Sequence, residues 1–267
     1  MPLICVCSPK GGTGKTTLAA NLAYALARNG SKVLALDFDV QNSLRLHFGV
    51  PLSDTRGYVA RAADASDWSQ FVLTAGGNIF VLPYGDATDA QRRDFEELLT
   101  HDEHFLTRGL NTLLNYPGLI IVADFPTGPS AALAALSRQA DLHLIPLLAD
   151  SASLSLLPQI ENHRLTGDVL NQKAGHFVVL NQSDNRRQIS RDVTAFMEQR
   201  LGNQLLGVLH RDESVVEANA SQQSVFDFSP ASAAAFDIEL IAKRAAGMLG
   251  VNIGDGTLHS SPRMSGL

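Results

Sequence analysis

Ten residues near the start of the chain, Ser8-Pro9-Lys10-Gly11-Gly12-Thr13-Gly14-Lys15-Thr16-Thr17, carry the densest chemical signal in the sequence. The spacing Gly-x-x-x-x-Gly-Lys-Thr is met with Pro9 standing where the first glycine is usual, a variant phosphate-binding loop. Gly11, Gly12 and Gly14 let the backbone curl until its N–H groups converge on phosphate oxygens, and a helix opening there adds its dipole. Lys15 is then placed to neutralise β- and γ-phosphates, and the Thr16 hydroxyl to ligate Mg²⁺. Two acidic segments accompany the loop. Leu36-Asp37-Phe38-Asp39-Val40-Gln41-Asn42 ends one apolar run, and Leu119-Ile120-Ile121-Val122-Ala123-Asp124 ends another. Carboxylates at the C-terminal tips of parallel strands fall in the crevice where open α/β sheets bind ligands. Asp124 there suits an outer-shell contact to Mg²⁺ or to a water on it. Acidic residues that merely close a strand are the competing reading of Asp37 and Asp39.

These residues need strands to deliver them. Apolar runs at Leu3–Cys7, Lys32–Asp37, Ile79–Pro83, Leu119–Asp124, Leu142–Leu147, His176–Asn181 and Leu205–Leu209 read as strands buried on both faces. Helical stretches lie between them at Thr16–Arg28, Asp89–Leu114, Ser130–Gln139, Arg186–Leu201 and Ala231–Leu249. The alternation predicts an α/β fold: a doubly wound, mostly parallel sheet with helices on both faces. Residues 1–249 form a single domain in this reading, and 250–267, rich in Gly, Ser and Pro, a flexible tail. Residues 50–78, around the lone Trp68, read as short helices and loops laid on the sheet edge.

The 267 residues suffice for a substantial core, and 45% hydrophobic with 18% charged residues excludes disordered and coiled-coil classes. With 27 acidic against 21 basic residues the net charge is -6, the opposite of the balance expected where nucleic-acid phosphates are the main partner. Cys5 and Cys7 fall on one face of a strand, too close for an easy disulfide, and read as buried thiols. His101 and His104 flank Asp102-Glu103, but lack a third ligand and read as solvated. No basic leader precedes an apolar core, and no stretch of ~20 apolar residues occurs. The expectation is a soluble cytoplasmic protein without direct membrane insertion.

Lys10, a second lysine at the start of the loop, marks a resemblance to the ParA/MinD family of deviant Walker A ATPases. That resemblance implies ATP/ADP and Mg²⁺ as cofactors and a homodimer closed over two nucleotides, Lys10 reaching the other subunit's phosphates. Residue by residue it implies that Asp39 positions the attacking water and that Asp37 supports the loop and the magnesium shell. Val40 stands where ParA proteins commonly have proline. Pro126 and Gly128 fall in the segment that resembles the family's second switch. Lys10, Lys15 and Asp39 are thus the catalytic set, with Thr16, Asp37 and Asp124 around the metal. Gly11, Gly12, Thr13, Gly14, Lys15, Thr16 and Thr17 form the phosphate cradle. Asn181 matches the residue that hydrogen-bonds adenine in the family, although an Asn closing a strand into a turn is an ordinary feature.

The branch is suggested by Leu209-His210-Arg211-Asp212-Glu213-Ser214 and by Val225-Phe226-Asp227-Phe228-Ser229-Pro230, together with Asn42–Val50 and Val81-Leu82-Pro83-Tyr84-Gly85. These resemble the BcsQ cellulose-biosynthesis ATPases over nearly the whole chain up to about Leu249. The resemblance implies a slowly hydrolysing switch that acts with cellulose synthase subunits at the inner membrane, recruited there or to a pole by partners and without stable nucleic-acid binding. Two other readings stay open. One is a ParA-type partition ATPase using the arginines at 186, 187, 191 and 200, which could equally be a solvated helix face. The other is an adaptor in which ATP is a structural ligand that is hardly hydrolysed.

Overall fold

Eight strands carry the architecture: β1 (Leu3–Val6), β2 (Lys32–Asp37), β3 (Leu73–Gly76), β4 (Ile79–Leu82), β5 (Leu119–Asp124), β6 (Leu142–Leu148), β7 (Gly175–Ser183) and β8 (Leu205–His210). The computed structural model describes residues 1–165 and 174–251. The strands form one sheet in the order β3-β4-β2-β5-β1-β6-β7-β8, parallel except for β3, which pairs antiparallel with β4. Eleven helices are described: α1 (Lys15–Arg28), α2 (Asp89–His101), α3 (Phe105–Gly109), α4 (Asn111–Leu114), α5 (Ala131–Ser137), α6 (Ser151–Leu154), α7 (Leu157–Glu161), α8 (Gln188–Leu201), α9 (Glu213–Ala220), α10 (Val225–Phe228) and α11 (Ala233–Met248).

The strand side chains divide by the two-residue period of the pleat. Leu3, Cys5 and Cys7 enter one core with Phe95 and Leu99 of α2, Leu133 and Leu136 of α5, and Val193 and Met197 of α8. Ile4 and Val6 enter the other with Leu18, Leu22 and Leu26 of α1 and Ile238, Ile241 and Ala245 of α11. Both cysteines are buried free thiols on one face, as their spacing predicts. Every residue of β1 and β5 is buried, which is why these runs lack apolar–polar alternation.

The expected strands and the first and last helices are present within a residue or two. The long helix expected over Asp89–Leu114 is instead three short ones. Asp102 adopts φ -121° and ψ 97°, and its carboxylate accepts from the His104 amide and from Arg108, which turns the chain out of α2. Residues 50–78 do more than trim the sheet edge. They contain 3₁₀ turns at Val59–Arg61 and Trp68–Phe71 and add β3, and Tyr58 and Trp68 are fully buried. The expected flexible tail falls, from residue 252 onward, outside the described residues.

Candidate functional site

The C-terminal ends of β1, β2 and β5 converge at the start of α1. Gly12 and Gly14 have φ of 71° and 85°, the left-handed region that favours glycine, and Gly14 is the N-cap of α1. A Cβ on Gly14 would lie 2.4 Å from the Asn181 amide nitrogen, so any larger residue would displace that side chain as well as strain the dihedral angle. The Gly128 amide donates to the Ser8 carbonyl at 3.0 Å, tying the segment after β5 to the loop.

Lys15 is buried, and its Nζ donates to Thr127 Oγ1 at 2.9 Å. Thr16 Oγ1 donates to Asp124 Oδ2 at 2.6 Å, bringing the loop threonine and the β5 carboxylate together. Asp37 and Asp124 are register partners across β2 and β5, and both are fully buried. The Asp37 oxygens accept from the amides of Asp39 at 2.9 Å and Leu44 at 3.1 Å, shaping the turn after β2. Asp39 Oδ1 accepts from the Gln41 amide, and Asn42 closes the turn at φ 50°. Phe38 and Phe125 stack with centroids 4.8 Å apart, and the Tyr58 hydroxyl donates to the Asp37 carbonyl at 3.2 Å. The two carboxylate-bearing loops therefore pack as one body with the region around Trp68.

This arrangement concentrates negative charge without solvent. Burial, reinforced by Asp124, pushes the Asp37 carboxyl well above the ordinary range. Burial likewise raises Asp124 to about 7, against the opposing pull of the Thr16 hydrogen bond and of Lys15. Asp124 Oδ1 is buried with no hydrogen-bond partner among the described residues. A buried acceptor left unpaired is costly, and a carboxylate pair beside a threonine hydroxyl is an oxygen donor set suited to a hard divalent cation or its waters. The residues therefore fit Mg²⁺.

Lys10 does not point into its own loop. Its Nζ lies 2.7 Å from Asp150 Oδ2, and Asp150 also caps α6 by accepting from Ser153. Although partial burial acts in the opposite direction, the Lys10 and Ser153 hydrogen bonds hold Asp150 below the usual carboxylate range. Asn181 braces the loop: its Nδ2 donates to the Thr13 carbonyl at 2.8 Å, and its Oδ1 accepts from the Gln182 amide. Of the arginines, Arg186 is paired with Asp184 and Arg200 with Glu161, each at 2.9 Å. Thr127, Asp150 and Tyr58 join the site from far along the sequence. Thr127 had a local cue, the Pro126–Gly128 turn after β5, whereas no spacing signals Asp150.

A sheet with this topology and a two-lysine phosphate loop at its switch point defines a P-loop ATPase of the ParA/MinD type. The family model "Cellulose biosynthesis protein BcsQ" matches residues 1–246, and the chain belongs to that family. It is 28% identical over 236 residues to the cellulose biosynthesis protein BcsQ of Salmonella typhimurium, covering 87% of this chain and 89% of that one. Among solved structures, the septum site-determining protein MinD of Pyrococcus horikoshii, complexed with Mg-ADP, superposes with a TM-score of 0.69 at 22% identity, covering 93% and 97% of the two chains. A plasmid partition protein of Borrelia burgdorferi bound to AMPPNP gives 0.72 at 19% identity, covering 91% and 97%. No helix among the described residues is long and apolar enough to cross a membrane.

Proposed function

We propose that this protein is an ATP-driven, slowly hydrolysing dimeric switch that supports assembly, localisation or regulation of the bacterial cellulose synthase secretion complex. The observation that carries the reading is the unpaired, buried Asp124 oxygen at the end of β5, beside Asp37 and beside Thr16 of the loop that carries Lys10 and Lys15. ATP binds with its phosphates against the Gly11–Thr17 backbone. Lys15 leaves Thr127 for the β- and γ-phosphate oxygens. Thr16, with Asp37 and Asp124, would hold Mg²⁺, which would offset charge on the transferred phosphoryl group. Asp37 holds the turn that carries Asp39, and Asp39 orients water for in-line attack. Lys10, released from Asp150, reaches the phosphates of the second copy. Asn181 serves the adenine edge from its place next to the loop. The cellulose assignment is supported by the family match over 246 residues. Intramolecular ion pairs engage Arg186 and Arg200, two of the four arginines that a nucleic-acid face would use.

The test is light scattering and retention on nonspecific duplex DNA with ATP-Mg²⁺ or ADP, across a salt titration. An ATP-dependent dimer that ignores DNA supports the switch. A chain that stays monomeric with ATP overturns it, and ATP-dependent DNA binding that weakens steeply with salt replaces it with a partition ATPase. Turnover of many ATP per second would also refute a slow switch.

A further inference from the structure

A cleft of about 250 Å³ opens where the phosphate loop passes into α1. Gly14, Thr17, Asn181, His210, Glu213 and Asn219 are among the residues that line it. The cleft adjoins the phosphate loop at Gly14 and Thr17, so a nucleotide with its phosphates on the loop can set its base among the polar groups lining it.

His210, the last residue of β8, is held in an unusual way. One oxygen, Asp237 Oδ2 on α11, accepts from the His210 backbone N–H and from its ring Nδ1, each at 2.9 Å. The double contact fixes the plane of the ring relative to the end of the strand. The Asp237 side chain is 12% exposed and that of His210 42%, so the carboxylate lies sheltered while the imidazole is partly open, and His210 is one of the residues lining the cleft. A carboxylate only accepts, so the proton sits on Nδ1, and in the neutral imidazole Nε2 is an acceptor. Asn219 Oδ1, also at the cleft, is buried without a hydrogen-bond partner among the described residues, while the charged neighbours are engaged elsewhere. Asp212 accepts from Ser214 and the Ala234 amide, and Arg211 pairs with Glu213.

We propose that His210, oriented by Asp237, is a base-specificity residue whose Nε2 accepts from the exocyclic 6-amino group of a purine. Adenine presents a donor at that position, whereas a 6-oxopurine presents an acceptor and leaves two acceptors opposed. The inference rests on the ATPase reading above and adds to it a named means of nucleotide selection. Asp237 is a positioning residue in this account. It touches no nucleotide and acts through the tautomer and orientation of the ring.

The experiment is displacement of a fluorescent ATP analogue by ATP, ITP and tripolyphosphate, with Mg²⁺, on the full chain at pH 8. ITP differs from ATP in the purine ring by the 6-oxo group and its ring proton and carries no 2-amino group, which isolates this edge of the base. The wild type is expected to prefer ATP over ITP by about tenfold or more, the scale of one lost and unsatisfied hydrogen bond. His210→Ala lowers the ATP-to-ITP ratio by at least about threefold, mainly by weakening ATP and leaving only what Asn181 contributes, while tripolyphosphate displacement is unchanged. Asp237→Ala narrows the ratio in the same direction. His210→Lys, which donates and cannot accept, turns the preference toward ITP. It also keeps the proposal testable if the alanine variant loses tripolyphosphate binding. A wild-type ATP-to-ITP ratio retained in His210→Ala or in His210→Lys overturns the proposal, as does a wild type indifferent to the two. A wild type that binds neither nucleotide overturns the ATPase reading itself.

Discussion

Replacing Asp124 by Asn should stabilise the metal-free protein while abolishing its response to Mg²⁺. Burial raises the folded-state pKa of Asp124 to about 7 from 3.8. A carboxyl raised in this way binds its proton more tightly in the folded state. Its contribution is intact below the unfolded-state pKa and is lost as pH climbs through the folded-state value. With 1.36 kcal/mol per pKa unit, the cost of keeping this group in the fold reaches on the order of 4 kcal/mol at pH 8 and falls by more than half at pH 5. An amide of the same shape carries no such charge, although it needs partners for its own N–H groups. A net gain of about 2 kcal/mol at pH 8 is therefore expected, a rise in Tm of roughly 4–8 °C for a domain of this size. The assay is thermal unfolding in EDTA at pH 5 and pH 8, repeated with Mg²⁺-ADP. The wild type should gain stability from Mg²⁺-ADP well beyond that from ADP alone, and the variant should not. An Asn variant no more stable than wild type at pH 8, or more stable by the same amount at both pH values, would refute the argument that ionisation of a buried carboxylate is the source.

Asp39→Ala should keep ATP-Mg²⁺ binding and dimer formation but lose phosphate release by at least about a hundredfold, read as single-turnover hydrolysis. In cells the same variant separates a cycling switch, which stops supporting cellulose secretion, from a static adaptor, which continues. Asp150→Asn keeps an acceptor to cap α6 yet frees Lys10 from its ion pair. Because the two side chains are 27% and 40% exposed, each pair is worth about 1 kcal/mol or less, so with one pair released in each subunit ATP-dependent dimerisation should tighten by no more than about thirtyfold. Sedimentation equilibrium measures this, and unchanged or weaker association counts against a competing intramolecular contact. Gly14→Ala combines a left-handed backbone with a Cβ only 2.4 Å from Asn181. It should cost about 1–3 kcal/mol in denaturant unfolding and remove nucleotide binding in a fluorescence titration.

Much of the phosphate site was legible in the sequence because its chemistry is local. Glycines, lysine and threonine must follow one another within a single turn between a strand and a helix, so spacing alone reports the cradle. The strands bearing Asp37 and Asp124 were visible for a related reason, since continuous apolar runs ending in one acid have few other uses. The break at Asp102 was not legible. The amino acids from Asp89 to Leu114 suit one helix, and the chain turns because the Asp102 carboxylate finds the His104 amide and Arg108. The role of residues 50–78 was equally hidden, as composition cannot show that Tyr58 and Trp68 stack beneath the Asp37 turn.

By itself the sequence determined the seven parallel strands and the first and last helices, the loop and its two lysines, and the identity of the acids available to a metal. Only the tertiary structure decided which of these meet. Parallel pairing of β2 with β5 sets Asp37 opposite Asp124, and the Thr16 hydrogen bond joins α1 to β5. The Lys10 contact with Asp150 spans 140 residues, and that of His210 with Asp237 joins a strand end to the final helix. Such contacts leave no trace in local spacing, because they depend on how the sheet is ordered and twisted rather than on the chain between them.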